Sequence, residues 1–173
     1  MESIARLIEP FYPSVHDLGR FEPVDAEDVP ADYQSLLAHD DHMTVTVEAF
    51  HDCRVDVSVL QEQSRGDDYA RCSLLVCRET GRTLQFGVMH IALGTLPPAV
   101  RVEIESRRTP LGRVLIRHNV LRHVELQQLW RVTPERELRS HLQLNPTDVI
   151  YGRTARIIVE GRPTVQLLEI PRA

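Results

Sequence analysis

The sequence contains no lysine, and all 20 of its basic residues are arginine. Without a lysine amine the chain cannot form a Schiff base, attach pyridoxal phosphate or supply a P-loop lysine. Arginine is then the only strongly cationic side chain that can hold an anion, and its planar guanidinium suits carboxylates. If the chain binds an organic acid, we expect an arginine to hold it.

Cysteine and long apolar runs are also scarce. The three cysteines, Cys53, Cys72 and Cys77, form no CxxC pair, and no signal-peptide pattern precedes them, which predicts reduced thiols in a cytoplasmic protein. No apolar run approaches the ~18 residues that a membrane span needs. The net charge is −5 and the arginines are dispersed along the chain. This pattern argues against a nucleic-acid partner.

Periodic patterns predict most of the secondary structure. Alternating apolar and polar residues predict three β-hairpins, which pair 43–50 with 54–60, 69–78 with 82–93, and 149–160 with 164–170. Helical spacing predicts short helices at 30–39, 96–105, 111–118 and 133–142. The stretch 121–132 fits a strand or a helix, and we expect a strand. The stretch 20–31 is expected to be a loop.

Hairpins with helices clustered between them indicate an α+β fold. We expect one domain over residues 1–173, with an antiparallel sheet of about six strands and its helices on one side. Residues 1–32 form an N-terminal segment that is either a lid or an arm. In the motif RRTPLGRVL at 107–115, Thr109 is expected to cap the helix that follows, and the arginines to face solvent.

Several candidate sites are weak. His39-Asp40-Asp41-His42 has the residue types of a metal site, but no third ligand motif accompanies it, so we predict a polar loop and no bound metal. No GxSxG motif or nucleophile elbow is present. Cys72 and Cys77 are an odd number of residues apart on one predicted strand, so they point to opposite faces and are expected to fill the core.

Two charged residues stand within apolar strand patterns, Arg71 and Glu169. A buried charge is costly unless it is paired. One interpretation places both on a solvated face or at strand ends. The other makes them the two poles of a cavity, where Arg71 binds an anionic substrate and Glu169 transfers a proton.

Four short motifs follow one another along the chain: DDHMT at 40–44, YAR at 69–71, TPLGR at 109–113, and YGR through GRP to LEIP at 151–171. In this order they resemble the chorismate pyruvate-lyase family, also called 4-hydroxybenzoate synthase, over nearly the whole chain after its first thirty residues. The resemblance implies an α+β fold with an antiparallel sheet, a closed internal site and no cofactor. It also implies an enzyme that eliminates pyruvate from chorismate to give 4-hydroxybenzoate.

The resemblance assigns roles residue by residue. Arg71 would bind the ring carboxylate, the backbone amides of Met43 and Leu111 would help to hold it, and Glu169 would face the far end of the ring. We further expect Glu169 to protonate or hydrogen-bond the departing enolpyruvyl oxygen. Arg153 is either a candidate grip for the pyruvyl carboxylate or a surface arginine. The expected partners are chorismate and 4-hydroxybenzoate, and the expected state is a monomer or weak dimer.

Two alternatives stay open. The same fold also serves as the effector-binding domain of bacterial transcription regulators, so the chain could be a non-catalytic domain for an aromatic or sugar acid. Such a regulator normally carries a DNA-reading helix-turn-helix, which residues 1–32 are too short and too proline-rich to supply, and this favours the enzyme. The other alternative is a lyase acting on a related enolpyruvyl cyclohexadiene acid.

Overall fold

The computed structural model describes residues 2–120 and 122–173, which contain six α-helices and seven β-strands. The elements in chain order are α1 (Glu2–Ile8), β1 (Gly19–Val24), α2 (Ala31–Leu37), α3 (Met43–His51), β2 (Val55–Arg65), β3 (Asp68–Cys77), β4 (Thr83–Ala92), α4 (Pro98–Glu105), α5 (Leu111–Arg117), β5 (Arg122–Pro134), α6 (Arg136–Leu142), β6 (Ile150–Val159) and β7 (Arg162–Pro171). No helix within these residues has the length and apolarity of a membrane-spanning segment.

All seven strands form one antiparallel sheet in the order β1-β5-β6-β7-β4-β3-β2. This confirms the predicted α+β class and antiparallel sheet. Strand β1 was not predicted, because it lies where a loop was expected, and it pairs with β5. Its pattern was hidden because it contains Pro23, and an edge strand tolerates a proline that a central strand would exclude.

Apolar side chains cover both faces of the sheet. The first core cluster joins α1 and α6 to residues such as Cys72, Phe86 and Leu168. Two further clusters join α2, α3, α4 and α5 to the opposite face, through residues such as Met89 and Leu167. Four of the six helices therefore lie on one side of the sheet, while α1 and α6 cover the other.

The predicted strand at 43–50 is wrong, because this segment is helix α3. Its sequence, MTVTVEAF, alternates as a strand does and is rich in β-branched residues, yet its buried side chains are Met43, Thr44 and Val47, which share one helical face. Val45 and Phe50 are 48% and 37% exposed. Packing of that helical face against the neighbouring helices overrides the local preference for a strand.

The start of α5 also differs from the expectation. Pro110, not Thr109, holds the capping position, and no side chain caps the helix. Arg107 and Arg108 are exposed as predicted, whereas Arg113 is partly buried and forms an ion pair with Glu48. The first turn of α5 therefore relies on its tertiary contacts rather than on a capping side chain.

Candidate functional site

A cavity lies between one face of the sheet and the starts of α3 and α5. It contains about 610 Å³ of space free of protein atoms, part of which is open to solvent. The floor comes from alternating residues of the central strands, which point to one face, and these are Arg71, Ser73, Leu75, Gln85, Gly87, Met89, Arg153, Ile157, Leu167 and Glu169.

Gly87 opens the middle of this floor. It pairs with Ser73 on β3 and with Glu169 on β7, and it has no side chain to fill the space above the sheet. A Cβ atom at this position would meet only ordinary contacts, the nearest at 3.5 Å from the Gln85 side-chain nitrogen. The glycine is therefore not required by a close backbone approach, and its effect is to leave room in the cavity.

Arg71 is buried in the cavity wall and forms no ion pair with any of the described residues. It is 2% exposed, and its Nε and Nη1 atoms have no hydrogen-bond acceptor among the described residues. The remaining nitrogen, Nη2, lies 3.8 Å from the Met89 sulfur, which is a weak acceptor. Burial lowers the pKa of Arg71, while Tyr69 and Glu62 act in the opposite direction. An arginine stays protonated in such surroundings, so the cavity contains an unsatisfied cation.

Arg153 has the opposite character, although it lines the same cavity. It is fully buried, and its Nε donates to Glu169 Oε2 at 2.8 Å, directly across the β6–β7 ladder. Its other nitrogens donate to the backbone carbonyls of Leu37, His39 and Asp41, at 3.3, 2.8 and 3.2 Å. Arg153 therefore braces the segment between α2 and α3 against the sheet.

The cavity roof is formed by two helix starts. Met43 is the first residue of α3, and Leu111 is the first residue of α5. The starts pack closely, since a Cβ atom on Gly112 would lie 3.1 Å from the Thr44 hydroxyl. The first amides of a helix have no intrahelical acceptor and favour a negative charge. Both backbone amides that the resemblance assigned to ligand binding therefore belong to the cavity wall.

His42 precedes α3 and also lines the cavity. Its Nε2 accepts a hydrogen bond from Arg122 Nε at 2.6 Å. Burial, with added repulsion from Arg122 and then Arg153, lowers the pKa of His42 to about 4. The imidazole is therefore neutral near pH 7, and Arg71 is the cation in this wall that lacks a partner among the described residues.

The structure brings together every residue that the sequence singled out for the site: Arg71, Met43, Leu111, Arg153 and Glu169 all line one cavity. The two histidines of the 39–42 loop make separate contacts, although His42 also lines the cavity. His39 makes its contacts with the Leu36 carbonyl and with Arg153, and His42 contacts Arg122.

Gln85, Ser73 and Gly87 were missed by sequence reasoning. The Gln85 side-chain oxygen is buried and has no partner within the described residues. The sequence feature that could have identified them is a glutamine and a glycine within the otherwise apolar strand TLQFGVMHIA. A glycine inside a strand often marks a place where a ligand or another chain segment comes close.

Comparisons with known proteins give structural neighbours only. No protein-family model and no curated protein matches the chain. PhnF from Mycobacterium smegmatis matches with a TM-score of 0.55 and 8% identity, covering 99% of this chain and 93% of PhnF. A protein described as the ligand-binding domain of a GntR-family transcriptional regulator from Bordetella bronchiseptica matches with a TM-score of 0.52 and 13% identity, covering 69% and 86%.

A third match is YydK from Bacillus subtilis, described as a transcriptional regulator, with a TM-score of 0.48 and 10% identity. The match covers 70% of this chain and 58% of YydK, so this chain spans less than two thirds of that protein. At these identities the likeness shows the fold. That fold is the one found in regulator ligand-binding domains and shares the chorismate-lyase-like architecture that the motifs predicted.

The prediction of a chorismate pyruvate-lyase is contradicted by these comparisons. The matched ligand-binding domain belongs to a transcriptional regulator, and neither it nor PhnF is described as a lyase. The geometry gives a physical reason for the correction, because Glu169 is held in a buried ion pair with Arg153. This contact engages Glu169 Oε2, one of the two oxygens through which the residue would act on a leaving group.

Proposed function

We propose that the chain is a non-catalytic domain that binds a small organic acid in the cavity beside Arg71. The observation that carries this proposal is the buried Arg71 guanidinium with two nitrogens lacking acceptors. An uncompensated buried charge is strongly unfavourable, and proteins normally pair it. A ligand carboxylate supplies the missing acceptors through a bidentate contact.

The surroundings of Arg71 define the rest of the ligand. Apolar side chains from both the sheet and the helices line the cavity, among them Met89, Leu111 and Leu167. These favour a ligand with an apolar body, such as a ring. The unpartnered Gln85 oxygen favours a hydroxyl group on the same ligand, because a hydroxyl can donate to it. An aromatic hydroxy acid meets these requirements, and a sugar acid meets the polar ones.

The first turns of α3 and α5 also favour an anionic ligand. Amides at the first turns of α3 and α5 add partial positive charge to the wall that contains Arg71. The proposed arrangement has the ligand carboxylate between the guanidinium and the amides of Met43 and Leu111. Arg153 and Glu169 then act as a fixed wall, because their charges already satisfy each other.

Isothermal titration with a small panel of ligands tests the proposal. The panel contains benzoate, 3-hydroxybenzoate, glucuronate and the neutral benzamide. At least one acid should bind, benzamide should not, and the hydroxylated acid should bind more tightly than benzoate. A bound acid also raises stability, by about 2.7 kcal/mol at a free concentration one hundred times its Kd.

The variant Arg71→Met should weaken acid binding by about 30-fold or more, because it removes one partner of a buried charged pair. Arg108→Met is the matched control, since Arg108 is exposed and outside the cavity. Binding of benzamide as tightly as the acids, unchanged affinity in Arg71→Met, or no binding by any acid would each contradict the proposal.

A further inference from the structure

A second cluster of polar side chains lies outside the cavity and consists of Cys53, Cys77 and Glu79. The two sulfurs and a Glu79 carboxylate oxygen all lie within 4.8 Å of one another. The Cys77 thiol donates to Glu79 Oε2 at 3.3 Å. The three residues range from buried to exposed, with Cys77 inside, Cys53 half-buried and Glu79 at the surface. This is called the Cys53–Cys77–Glu79 cluster below.

The backbone holds these side chains together from two directions. Asp52 ends α3 in the left-handed region, with φ at 47°, and this turns Cys53 back toward the sheet. Cys77 ends β3, and the Gly81 amide donates to its carbonyl at 2.8 Å, which closes the turn that carries Glu79. The left-handed residue and the closed turn are both part of the backbone fold. They hold the donor atoms close together without a bound ligand.

We propose that the Cys53–Cys77–Glu79 cluster binds a thiophilic divalent cation of the Zn²⁺ type. Zinc takes sulfur at ~2.3 Å and carboxylate oxygen at ~2.0–2.2 Å in a tetrahedral arrangement, which places neighbouring donors ~3.5–3.8 Å apart. The Cys77 sulfur lies 3.3 Å from Glu79 Oε2, and the remaining separations exceed the tetrahedral values by about 1.3 Å at most, which side-chain rotation can absorb. Water fills the fourth position at the exposed side.

The charges around the cluster also favour a cation. Arg78 is adjacent in sequence to Glu79, but its guanidinium contacts Asp56 at 2.5 Å. Glu79 forms no ion pair within the part of the chain that the structure describes. Two thiolates beside a carboxylate repel one another unless a cation lies between them. Binding therefore releases the thiol protons and places the metal charge among three negative groups.

A bound cation would tie the end of α3 to the turn between β3 and β4. The other end of α3 starts at Met43 in the cavity wall, but the metal site does not depend on the cavity binding a ligand. The proposal is thus independent of the proposed function and can fail or succeed separately.

Titration of the reduced, metal-free protein with Co²⁺ tests the site directly. A single equivalent should bind with a thiolate-to-cobalt charge-transfer absorption in the near ultraviolet, and Zn²⁺ should displace it. Cys53→Ser and Cys77→Ser should each abolish the absorption, and Glu79→Gln should weaken binding by about tenfold or more. Cys72→Ala is the control, because Cys72 is buried in a different core cluster and should leave the titration unchanged.

Alkylation of the wild-type protein provides a measurement that does not depend on variants folding. Zn²⁺ should slow modification of the half-buried Cys53 by about tenfold or more, as read by peptide mass analysis. The proposal is overturned if no charge-transfer absorption appears, if the absorption survives in Cys53→Ser, or if Zn²⁺ leaves the alkylation rate of Cys53 unchanged.

Discussion

Arg71 and Arg153 are buried arginines on the same face of one sheet, yet their contacts are opposite. Arg153 donates to Glu169 and to three backbone carbonyls, so its charge is satisfied inside the protein. Among the described residues, Arg71 makes one hydrogen bond, from Nη2 to the Met89 sulfur, while Tyr69 and Glu62 act on its charge without accepting from Nε or Nη1. Arg153 therefore has a structural role, whereas Arg71 lacks acceptors that a ligand could supply. We expect the free energy of unfolding to fall when Arg153 is replaced and to stay the same or rise when Arg71 is replaced in the ligand-free protein.

The variant Arg153→Met should lower the free energy of unfolding by about 3–5 kcal/mol, because Glu169 is left as a buried charge without its partner. Chemical denaturation followed by circular dichroism measures this change. The double variant Arg153→Met with Glu169→Leu should recover part of the loss, since both charges are then replaced by apolar groups. A double variant less stable than Arg153→Met alone would rule out the buried pair as the source of the effect.

At the scale of elements, two hairpins and helix α5 were predicted from the sequence, but helix α3, which also roofs the cavity, and strand β1 were not. The hairpins β3–β4 and β6–β7 show clear alternation and short turns, and both were found. Helix α3 was mistaken for a strand because only its tertiary packing shows that Met43, Thr44 and Val47 form one buried face. Edge strand β1 was missed because its pattern is interrupted by Pro23.

The candidate site was predictable in its residues but not in their pairing. Arg71 and Glu169 were found because a charge in an apolar strand is unusual. The ionic partner of Glu169 depends on strand register. Its pairing with Arg153 follows from the register of the β6–β7 hairpin, which the sequence does not reveal. The closeness of Cys53 and Cys77 was equally hidden, because it depends on how α3 ends.

Strand β4 provides a test of the cavity that leaves every charge in place. Gly87→Val should reduce affinity for the acid by about tenfold or more, because its side chain would fill the floor beside Ser73 and Glu169. Valine suits a strand, and the Cβ atom meets no close contact, so the fold should be retained. Isothermal titration measures the affinity.

Gly87→Ala is the matched control, because its single carbon makes ordinary contacts and leaves most of the space free. It should bind the acid nearly as well as the wild-type protein. A Gly87→Val protein that is folded and binds with wild-type affinity would place the ligand elsewhere.

The connection from α2 to α3 should make the protein sensitive to acid. His42 has a pKa of about 4 in the folded protein and an ordinary value near 6.5, so the unfolded chain takes up its proton first as the pH falls. The contribution of neutral His42 to the free energy of unfolding is complete above about pH 6.5 and is lost progressively as the pH falls toward 4. After allowance for its partial exposure, we expect a loss of about 1–2 kcal/mol from this residue.

Unfolding of the wild-type protein and of His42→Gln across this pH range measures the effect. The variant should lose less stability than the wild-type protein between about pH 6.5 and pH 4.5, since it has no proton to take up at this position. His39 and His51 also have lowered pKa values, and they contribute equally to the pH dependence of stability in both proteins. Parallel pH profiles for the two proteins would show that His42 is not held neutral.

For the molecule as a whole, residues from all four motifs line one cavity, whereas the lyase chemistry that the motifs suggested is contradicted. One sheet with a core on each face places Arg71, Glu169 and two helix starts around the same space, whatever reaction or binding event occurs there. The fold itself hosts regulator ligand-binding domains, and a shared fold does not carry a shared activity. Function therefore has to be argued from the unsatisfied groups in the cavity.

The free energy of unfolding of ligand-free Arg71→Met tests this argument most directly, because it does not require the ligand to be known. Methionine replaces the buried cation with an apolar side chain of similar length. If the guanidinium lacks a partner when no ligand is bound, the variant should be as stable as the wild-type protein or more stable, by up to about 3 kcal/mol. A variant less stable by about 2 kcal/mol or more would show that Arg71 is already paired, and would contradict the account.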